Sequence, residues 1–203
     1  NEFIKRGAHS GSSPKEMAED CNVIITCLPS PKICSEVMES KDGVLAGRSK
    51  GKIWLEMSTT DEAEIRRIGA LVEVVGALPI DCPVSGGCHR ADTGNISIFA
   101  GCTREAFELV LPILTTMGRR VLHTGDLGTA SKLKVMTNYL ATVNLTSIAE
   151  ALTTMKVLGM DMNVTYEAIK ASSGNSFVHE TESQVILNGS RDISFTMDLV
   201  SKD

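Results

Sequence analysis

Short apolar segments, several of them rich in valine and isoleucine, alternate with amphipathic segments along the first part of the chain. Each apolar segment predicts a strand, and together they cover residues 22–28, 52–55, 79–84, 96–100 and 121–123. Helical spacing of apolar positions falls between them, over residues 31–40, 62–71 and 103–117. Strands separated by helices of this length predict crossover connections and a mainly parallel sheet.

The strand pattern then ends, and the rest of the chain carries only helical patterns. Residues 126–158 form one long segment with apolar positions on more than one side. Two shorter helices are predicted over residues 163–172 and 177–187. The sequence therefore predicts an α/β fold with two domains, which are joined by the long helix and cover residues 1–125 and residues 126–203.

Composition narrows the classes of partner. The chain has 203 residues, a formal net charge of −5 at pH 7 and 4% aromatic residues. Proteins that bind nucleic acid usually present a basic surface or aromatic side chains that stack on bases. A run of about 18 apolar residues, which a membrane-spanning helix needs, is not found in the sequence. We therefore expect neither a nucleic acid nor a membrane among the partners.

The six cysteines bear on metal sites and on the cellular compartment. None of them forms a C-x-x-C pair or a repeated cluster with histidine. Zinc sites built on these residues recur at fixed short spacings, so we expect no metal. Free thiols are typical of reducing compartments. We expect a cytoplasmic protein, with the mitochondrial matrix as the alternative for a eukaryotic source.

One candidate site is the turn that follows the third strand. The strand runs through Asp81-Cys82-Pro83-Val84 and leads directly into Ser85-Gly86-Gly87. Glycines permit positive φ angles and let a ligand approach backbone N–H groups. Successive N–H groups in such a turn form a concavity that suits an anion, and the Ser85 hydroxyl adds a donor. An ordinary strand-exit turn is the alternative interpretation.

Two further candidates are a helix face and a loop. Lys134 and Asn138 are four residues apart and share one face of the long helix, whereas Lys132 points nearly opposite. A lysine with an asparagine can protonate and hold a carbonyl or hydroxyl oxygen; a pair of solvated lysines is the alternative. The loop that begins at Leu28 and Pro29 follows the first strand. Open α/β sheets bind ligands at such positions, so this loop is a candidate binding site. The alternative interpretation is a proline-stiffened turn without a ligand.

Together, these motifs resemble the β-hydroxyacid dehydrogenase family. The similarity lies in their order and spacing: residues 81–87, then Gly94, then Gly125-x-x-Gly128 leading into Lys134-x-x-Thr137-Asn138. The resemblance implies a partial Rossmann-type sheet followed by an all-α domain. It also implies an oxidoreductase that transfers a hydride between NAD or NADP and a small 3-hydroxy acid or its semialdehyde.

The resemblance implies roles for individual residues. Lys134 resembles the catalytic lysine of the family, which exchanges a proton with the substrate oxygen. The residues implied to bind the small carboxylate substrate are Ser85, Gly86, Gly87, Asn138 and Asn175. The residues implied to contact the cofactor are Leu28, Pro29, Thr59 and Lys202. The broad apolar surface of the long helix predicts a homo-oligomer, either a dimer or a tetramer.

The sequence departs from the family pattern at its ends and at Thr137. The family opens with a strand, a G-x-G-x-x-G turn and a helix that hold the pyrophosphate, and this turn has no counterpart in the sequence. We therefore expect a fragment that lacks this loop and the C-terminal end and that binds the cofactor weakly by itself.

Two other functions stay open. One is a non-catalytic binding or assembly module that keeps the fold. The other is a decarboxylating enzyme similar to 6-phosphogluconate dehydrogenase, a family that carries a histidine where this chain has Thr137.

Overall fold

The computed structural model describes residues 2–190 and 196–202, apart from the side chains of residues 197 and 202. Its residue contacts divide the chain into two compact units, residues 1–135 and residues 136–203. The division falls inside the long helix, which therefore begins in the first unit and ends in the second. The domain boundary at Gly125 stays a prediction.

The first unit is built on a six-stranded sheet. Its strands are β1 (Val23–Thr26), β2 (Ile53–Glu56), β3 (Leu78–Asp81), β4 (Val84–Ser85), β5 (Ile96–Gly101) and β6 (Gly118–Gly125). Their order is β1-β2-β3-β5-β4, and β6 pairs with β5. The β1–β2, β2–β3 and β5–β6 pairs are parallel, whereas β5 runs antiparallel to β3 and β4. The predicted α/β class, a Rossmann-like sheet followed by helices, is confirmed.

Helices connect the strands and continue the chain beyond the sheet. The first unit contains α1 (Glu2–Lys5), α2 (Pro14–Asp20), α3 (Pro31–Glu39), α4 (Glu62–Val74), α5 (Gly87–Asp92), α6 (Arg104–Met117) and a 3-10 turn over Val44–Ala46. The helix α7 (Thr129–Val157) enters the second unit, which continues with α8 (Met162–Lys170), α9 (Phe177–Asn188) and α10 (Met197–Lys202). In the described part of the chain, no helix is long and apolar enough to cross a membrane.

The hydrophobic core of the first unit lies on both faces of the sheet, and β2 shows why. Adjacent residues of a strand point to opposite faces. Trp54 packs with Ile65 and Ile68 of α4 in one cluster, while Leu55 packs with Leu114 of α6 in the other. A strand that is buried on both faces has a continuous apolar run in its sequence, and such a run predicted β2.

The elements that the sequence pattern missed are short and bury little. They are α1, α2, α5, α10 and the 3-10 turn. The predicted strand over residues 79–84 is divided into β3 and the two-residue strand β4. Helix α2 buries one residue, Ala18, and α5 buries none. An element with so few core residues has no hydrophobic periodicity to detect.

The start of α7 differs from the predicted start at Asp126. Gly125 and Gly128 adopt φ angles of 114° and 90°, which a right-handed helix cannot include. The helix therefore begins at Thr129. Gly101, at the end of β5, lets this start approach the sheet closely. A Cβ atom at Gly101 would lie 3.0 Å from the Asp126 carbonyl oxygen and 3.1 Å from the Ala130 nitrogen.

We expect Gly101→Ala to lower the free energy of unfolding by about 1–3 kcal/mol, because the atoms that would meet the new methyl group include backbone. Gly174→Ala is the matched control, since a Cβ there meets only the Ser172 Oγ at 3.4 Å. The control should change stability by no more than about 0.5 kcal/mol. Urea denaturation measures both variants. Equal stabilities would contradict the close approach of α7 to β5.

Candidate active site

Three strands of the first unit end in a row of buried polar residues. Thr26, Glu56 and Asp81 are the last residues of β1, β2 and β3, and they pair in register across the sheet. Thr26 is 5% exposed, and both carboxylates are fully buried. Ligands of open α/β sheets bind outside the carboxyl ends of parallel strands, so this row marks the edge where a site is expected.

Glu56 is the centre of a hydrogen-bond network beneath this edge. Its Oε2 accepts hydrogen bonds from the Thr26 hydroxyl at 2.6 Å and the Cys34 thiol at 2.8 Å. Its Oε1 accepts from the backbone N–H of Ser58 at 2.7 Å. Burial raises the pKa of the Cys34 thiol, which keeps this donor protonated. A buried carboxylate is tolerated when it is supplied with donors in this way.

The network extends to the loops that follow β1 and β2. The Ser58 hydroxyl accepts a hydrogen bond from the backbone N–H of Leu28 at 2.7 Å. The two loops are therefore tied together, and Leu28, Pro29 and Thr59 lie at the same edge of the sheet. Leu28 and Thr59 are half-buried, and Pro29 is exposed. The structure thus brings together three of the residues that the resemblance assigned to the cofactor.

Asp81 makes the corresponding connection from β3 to α7. Its two carboxylate oxygens accept hydrogen bonds from the backbone N–H of Ser131 at 2.8 Å and from the Ser131 hydroxyl at 2.7 Å. Burial raises the pKa of Asp81 to about 6, against the hydrogen bonds from Ser131, which favour the charged form. The first turn of α7 therefore receives its capping carboxylate from a strand 50 residues earlier.

The two lysines at the start of α7 lie in different environments. The Lys132 Nζ is 2.8 Å from the Glu62 Oε1, and the side chain is 58% exposed. Lys134, by contrast, is 8% exposed. Two residues along a helix correspond to a rotation of roughly 200°, which accounts for the difference. A buried lysine is uncommon in proteins and marks this position as unusual.

The turn after β4 has the backbone that the sequence predicted. Gly86 and Gly87 adopt φ angles of 131° and 72°. A Cβ atom at Gly86 would lie 2.7 Å from the Arg90 Cδ, so a side chain there would displace the arginine. Ser85 and Gly86 are half-buried and Gly87 is exposed, which leaves part of the turn open to solvent. The assigned role in binding a carboxylate stays a prediction.

The remaining predicted residues belong to the second unit. Asn138 lies one turn beyond Lys134 on α7 and is half-buried. Asn175 is exposed between α8 and α9, and its side-chain amide donates a hydrogen bond to the Glu180 Oε1 at 2.7 Å. The side chain of Lys202 lies outside the described residues. The roles of all three stay predictions.

The structural roles of Glu56, Asp81 and Ser131 were not predicted from the sequence. The available signal was an acidic residue at the end of an apolar run, in Ile-Trp-Leu-Glu and Pro-Ile-Asp. An acid in that position is buried if the strand is central, and a buried acid needs donors. The sequence pattern does not identify which groups donate hydrogen bonds to the buried acid.

Comparisons with known proteins account for nearly the whole chain. Residues 1–125 match the family described as the NAD binding domain of 6-phosphogluconate dehydrogenase. Residues 128–203 match the family described as NAD-binding of NADP-dependent 3-hydroxyisobutyrate dehydrogenase. A 2-(hydroxymethyl)glutarate dehydrogenase from Eubacterium barkeri is 30% identical over 201 residues, which are 98% of this chain and 67% of that protein. The chain belongs to the β-hydroxyacid dehydrogenase family.

Other members of the β-hydroxyacid dehydrogenase family are also similar to this chain over most of its length. The mitochondrial 3-hydroxyisobutyrate dehydrogenase of Mus musculus is 32% identical over 184 residues, which are 91% of this chain and 55% of that protein. The crystal structure of 3-hydroxyisobutyrate dehydrogenase from Salmonella typhimurium superimposes with a TM-score of 0.89 at 25% identity and covers 99% of this chain and 70% of that one. Both matching family models describe NAD-binding regions of dehydrogenases. This chain spans about two thirds of the length of the Eubacterium barkeri relative and about half of the length of the mouse relative.

The pKa of Asp81 predicts how stability depends on pH. Folding raises this pKa from 3.8 to about 6, so the folded state holds the proton more tightly than the unfolded state. The resulting stabilisation is complete below about pH 4 and is lost as the pH rises through 6. Relative to Asp81→Asn, the wild type should therefore lose roughly 2.4 kcal/mol between pH 4 and pH 7.

Chemical denaturation at several pH values measures this difference. Asp92→Asn, at an exposed position of α5, is the control and should follow the wild type at each pH. If the wild type and Asp81→Asn show the same pH dependence, the buried carboxyl does not have a raised pKa.

Proposed function

We propose that this chain interconverts a small 3-hydroxy acid and its semialdehyde with NAD or NADP, and that Lys134 is the general acid and base. The burial of Lys134, next to an exposed and paired Lys132, is the observation that carries the proposal. The relatives support the substrate class, since they are named dehydrogenases of 3-hydroxyisobutyrate and 2-(hydroxymethyl)glutarate. A Mycobacterium tuberculosis relative whose structure contains L-serine, a small 3-hydroxy acid, also supports it.

The residues at the edge of the sheet fit a nicotinamide dinucleotide. The tied loops after β1 and β2 offer Leu28, Pro29 and Thr59, at the position where α/β sheets hold such ligands. Thr60, 5% exposed, adds a buried hydroxyl oxygen that has no hydrogen-bond partner among the described residues. Such orphaned groups are rare and are often completed by a ligand or a water. When bound, the nicotinamide supplies the acceptor or donor of the hydride.

Lys134 supplies the proton transfer in this proposal. In the oxidation direction, its neutral amine takes the proton of the substrate hydroxyl while the carbon loses its hydride. In the reduction direction, its ammonium returns a proton to the carbonyl oxygen. Lysine suits this role because burial readily lowers its pKa, whereas arginine stays protonated. Asn138, one turn along the helix, would hold the same oxygen, and Asn175 would contribute to the substrate pocket.

The turn formed by Ser85, Gly86 and Gly87 would bind the carboxylate of the substrate. Gly86 and Gly87 adopt positive φ angles, a backbone type that can present N–H groups to an anion, and the Ser85 hydroxyl is a further donor. Lys202 would contact the cofactor. For the cellular location we propose the cytoplasm, although the mouse relative is mitochondrial.

Lys134→Ala should lower kcat by at least about 100-fold, the usual scale for the loss of a general acid or base. Lys132→Ala is the matched control and should leave kcat within about twofold, because that side chain is exposed and forms an ion pair with Glu62. Steady-state rates with 3-hydroxyisobutyrate and 2-(hydroxymethyl)glutarate, each with NAD and NADP, measure both variants.

Full activity of Lys134→Ala would refute the proposed role of the lysine. It would favour a different acid and base. If only Lys132→Ala loses activity, the proton transfer belongs to Lys132 and not to Lys134.

We also propose that α7 mediates self-association into a dimer or tetramer. Large apolar side chains on this helix are exposed, among them Met136 at 56%, Tyr139 at 61% and Leu140 at 53%. A soluble protein rarely leaves such a patch uncovered, and interfaces are rich in these residue types.

Leu140→Glu should dissociate the oligomer, because a buried unpaired carboxylate is costly at an interface. Val74→Glu is the control, since Val74 is 84% exposed at the end of α4. Sedimentation at tens of micromolar protein, roughly the range of weak stable interfaces, measures the mass. The proposal fails if the wild type sediments as a monomer or if both variants behave alike.

A further inference from the structure

We propose that Asp81 is a positioning residue that acts through Lys134, by holding the first turn of α7 against the end of β3. The proposal rests on the proposed function, because it assumes that Lys134 transfers the proton. It assigns to Asp81 no contact with substrate or cofactor.

Asp81 caps the start of α7. The first N–H groups of a helix have no acceptor within the helix. Ser131 is the third residue of α7, and its N–H group donates to Asp81 at 2.8 Å. The hydroxyl of the same residue donates to the other carboxylate oxygen at 2.7 Å. A helix is usually capped by the residue that directly precedes it in the chain, whereas α7 is capped by the distant Asp81. The negative charge of Asp81 also faces the positive end of the helix dipole.

The capped residue Ser131 is a neighbour of Lys134 on α7. Residues three apart on a helix are neighbours, with Cβ atoms about 5–6 Å apart, so Ser131 and Lys134 lie next to each other. Both are buried, at 1% and 8% exposure. A tilt or fraying of the first turn would therefore move the Lys134 amine. A general acid must stay within hydrogen-bond reach of its target, and a displacement of about 1 Å costs activity.

Asp81 is the last residue of β3, which links α7 to the sheet. The chain continues from Asp81 to the turn at residues 85–87, and Asp81 pairs with Gly101 of β5. Gly101 is also the residue that admits the start of α7 at backbone contact distance. One carboxylate thus fixes the helix that carries Lys134 to the strand that leads into the predicted carboxylate-binding turn.

Asn and Ala at this position separate positioning from other roles. In Asp81→Asn, the amide oxygen can accept from the Ser131 N–H while the amide nitrogen donates to the Ser131 hydroxyl, which can also accept. This variant keeps the cap and removes the charge. Asp81→Ala removes both and leaves two buried donors unpaired.

The test is a set of kinetic cycles with the Asp81 variants in the wild type and in Lys134→Ala. With 3-hydroxyisobutyrate as substrate, Asp81→Ala should lower kcat by about tenfold or more and change the cofactor KM by less than about threefold. Asp81→Asn should restore kcat to within about threefold of the wild type. In the Lys134→Ala background, Asp81→Ala should cause no further loss, because a residue that acts through Lys134 has nothing left to position.

Glu56→Gln is the control for general damage to the sheet edge. Glu56 is also a buried carboxylate at a strand end, but it is tied to the loops after β1 and β2. Its effect on kcat should therefore persist in Lys134→Ala. Hydrogen exchange gives a readout that does not require turnover. The Ser131 amide should exchange faster in Asp81→Ala and at the wild-type rate in Asp81→Asn, with Leu140 unchanged in both.

Three results would overturn the proposal: a loss in Asp81→Ala that persists in Lys134→Ala, an Asp81→Asn variant as slow as Asp81→Ala, or a Ser131 amide that exchanges alike in all variants. If Asp81→Ala does not fold, Ser131→Ala carries the test, with a severalfold loss of kcat expected only when Lys134 is present. Full activity of Lys134→Ala would instead refute the proposed function.

Discussion

Two carboxylates are buried at the ends of adjacent strands, and the donors that they require organise one edge of the sheet. Glu56 takes its donors from β1, α3 and its own loop, and Asp81 takes them from the first turn of α7. A buried charge without donors would cost several kcal/mol. The loops and the helix that supply those donors are therefore fixed in place, and they carry the residues assigned to the cofactor and to proton transfer.

This arrangement separates two tasks along the same edge. The network of Glu56 joins the loops that hold Leu28 and Thr59, whereas the pair of Asp81 and Ser131 holds the helix that carries Lys134. An active site that must place a hydride and a proton at one carbon and one oxygen needs both parts to be rigid. In the proposed function, the two buried carboxylates provide that rigidity without touching the reactants.

Much of the fold could be predicted from the sequence, and the reason is periodicity. The central strands bury both faces and read as apolar runs, and α4 and α6 show helical spacing with polar caps at Asp61 and Thr103. The elements that escaped prediction, such as α2 and α5, bury one residue or none, so their positions depend on neighbouring elements. The family could also be recognised, because the order of several motifs is specific where each motif alone is not.

The sequence by itself determined the class of fold, the family and the opposite directions of Lys132 and Lys134, because these follow from local spacing along one chain. Only the tertiary structure decided that Glu56 and Asp81 are buried and which groups donate hydrogen bonds to them. Asp81 and Ser131 are 50 residues apart, and no local pattern relates them. Their contact exists because β3 and the start of α7 meet at Gly101, where the absence of a side chain lets the backbones approach.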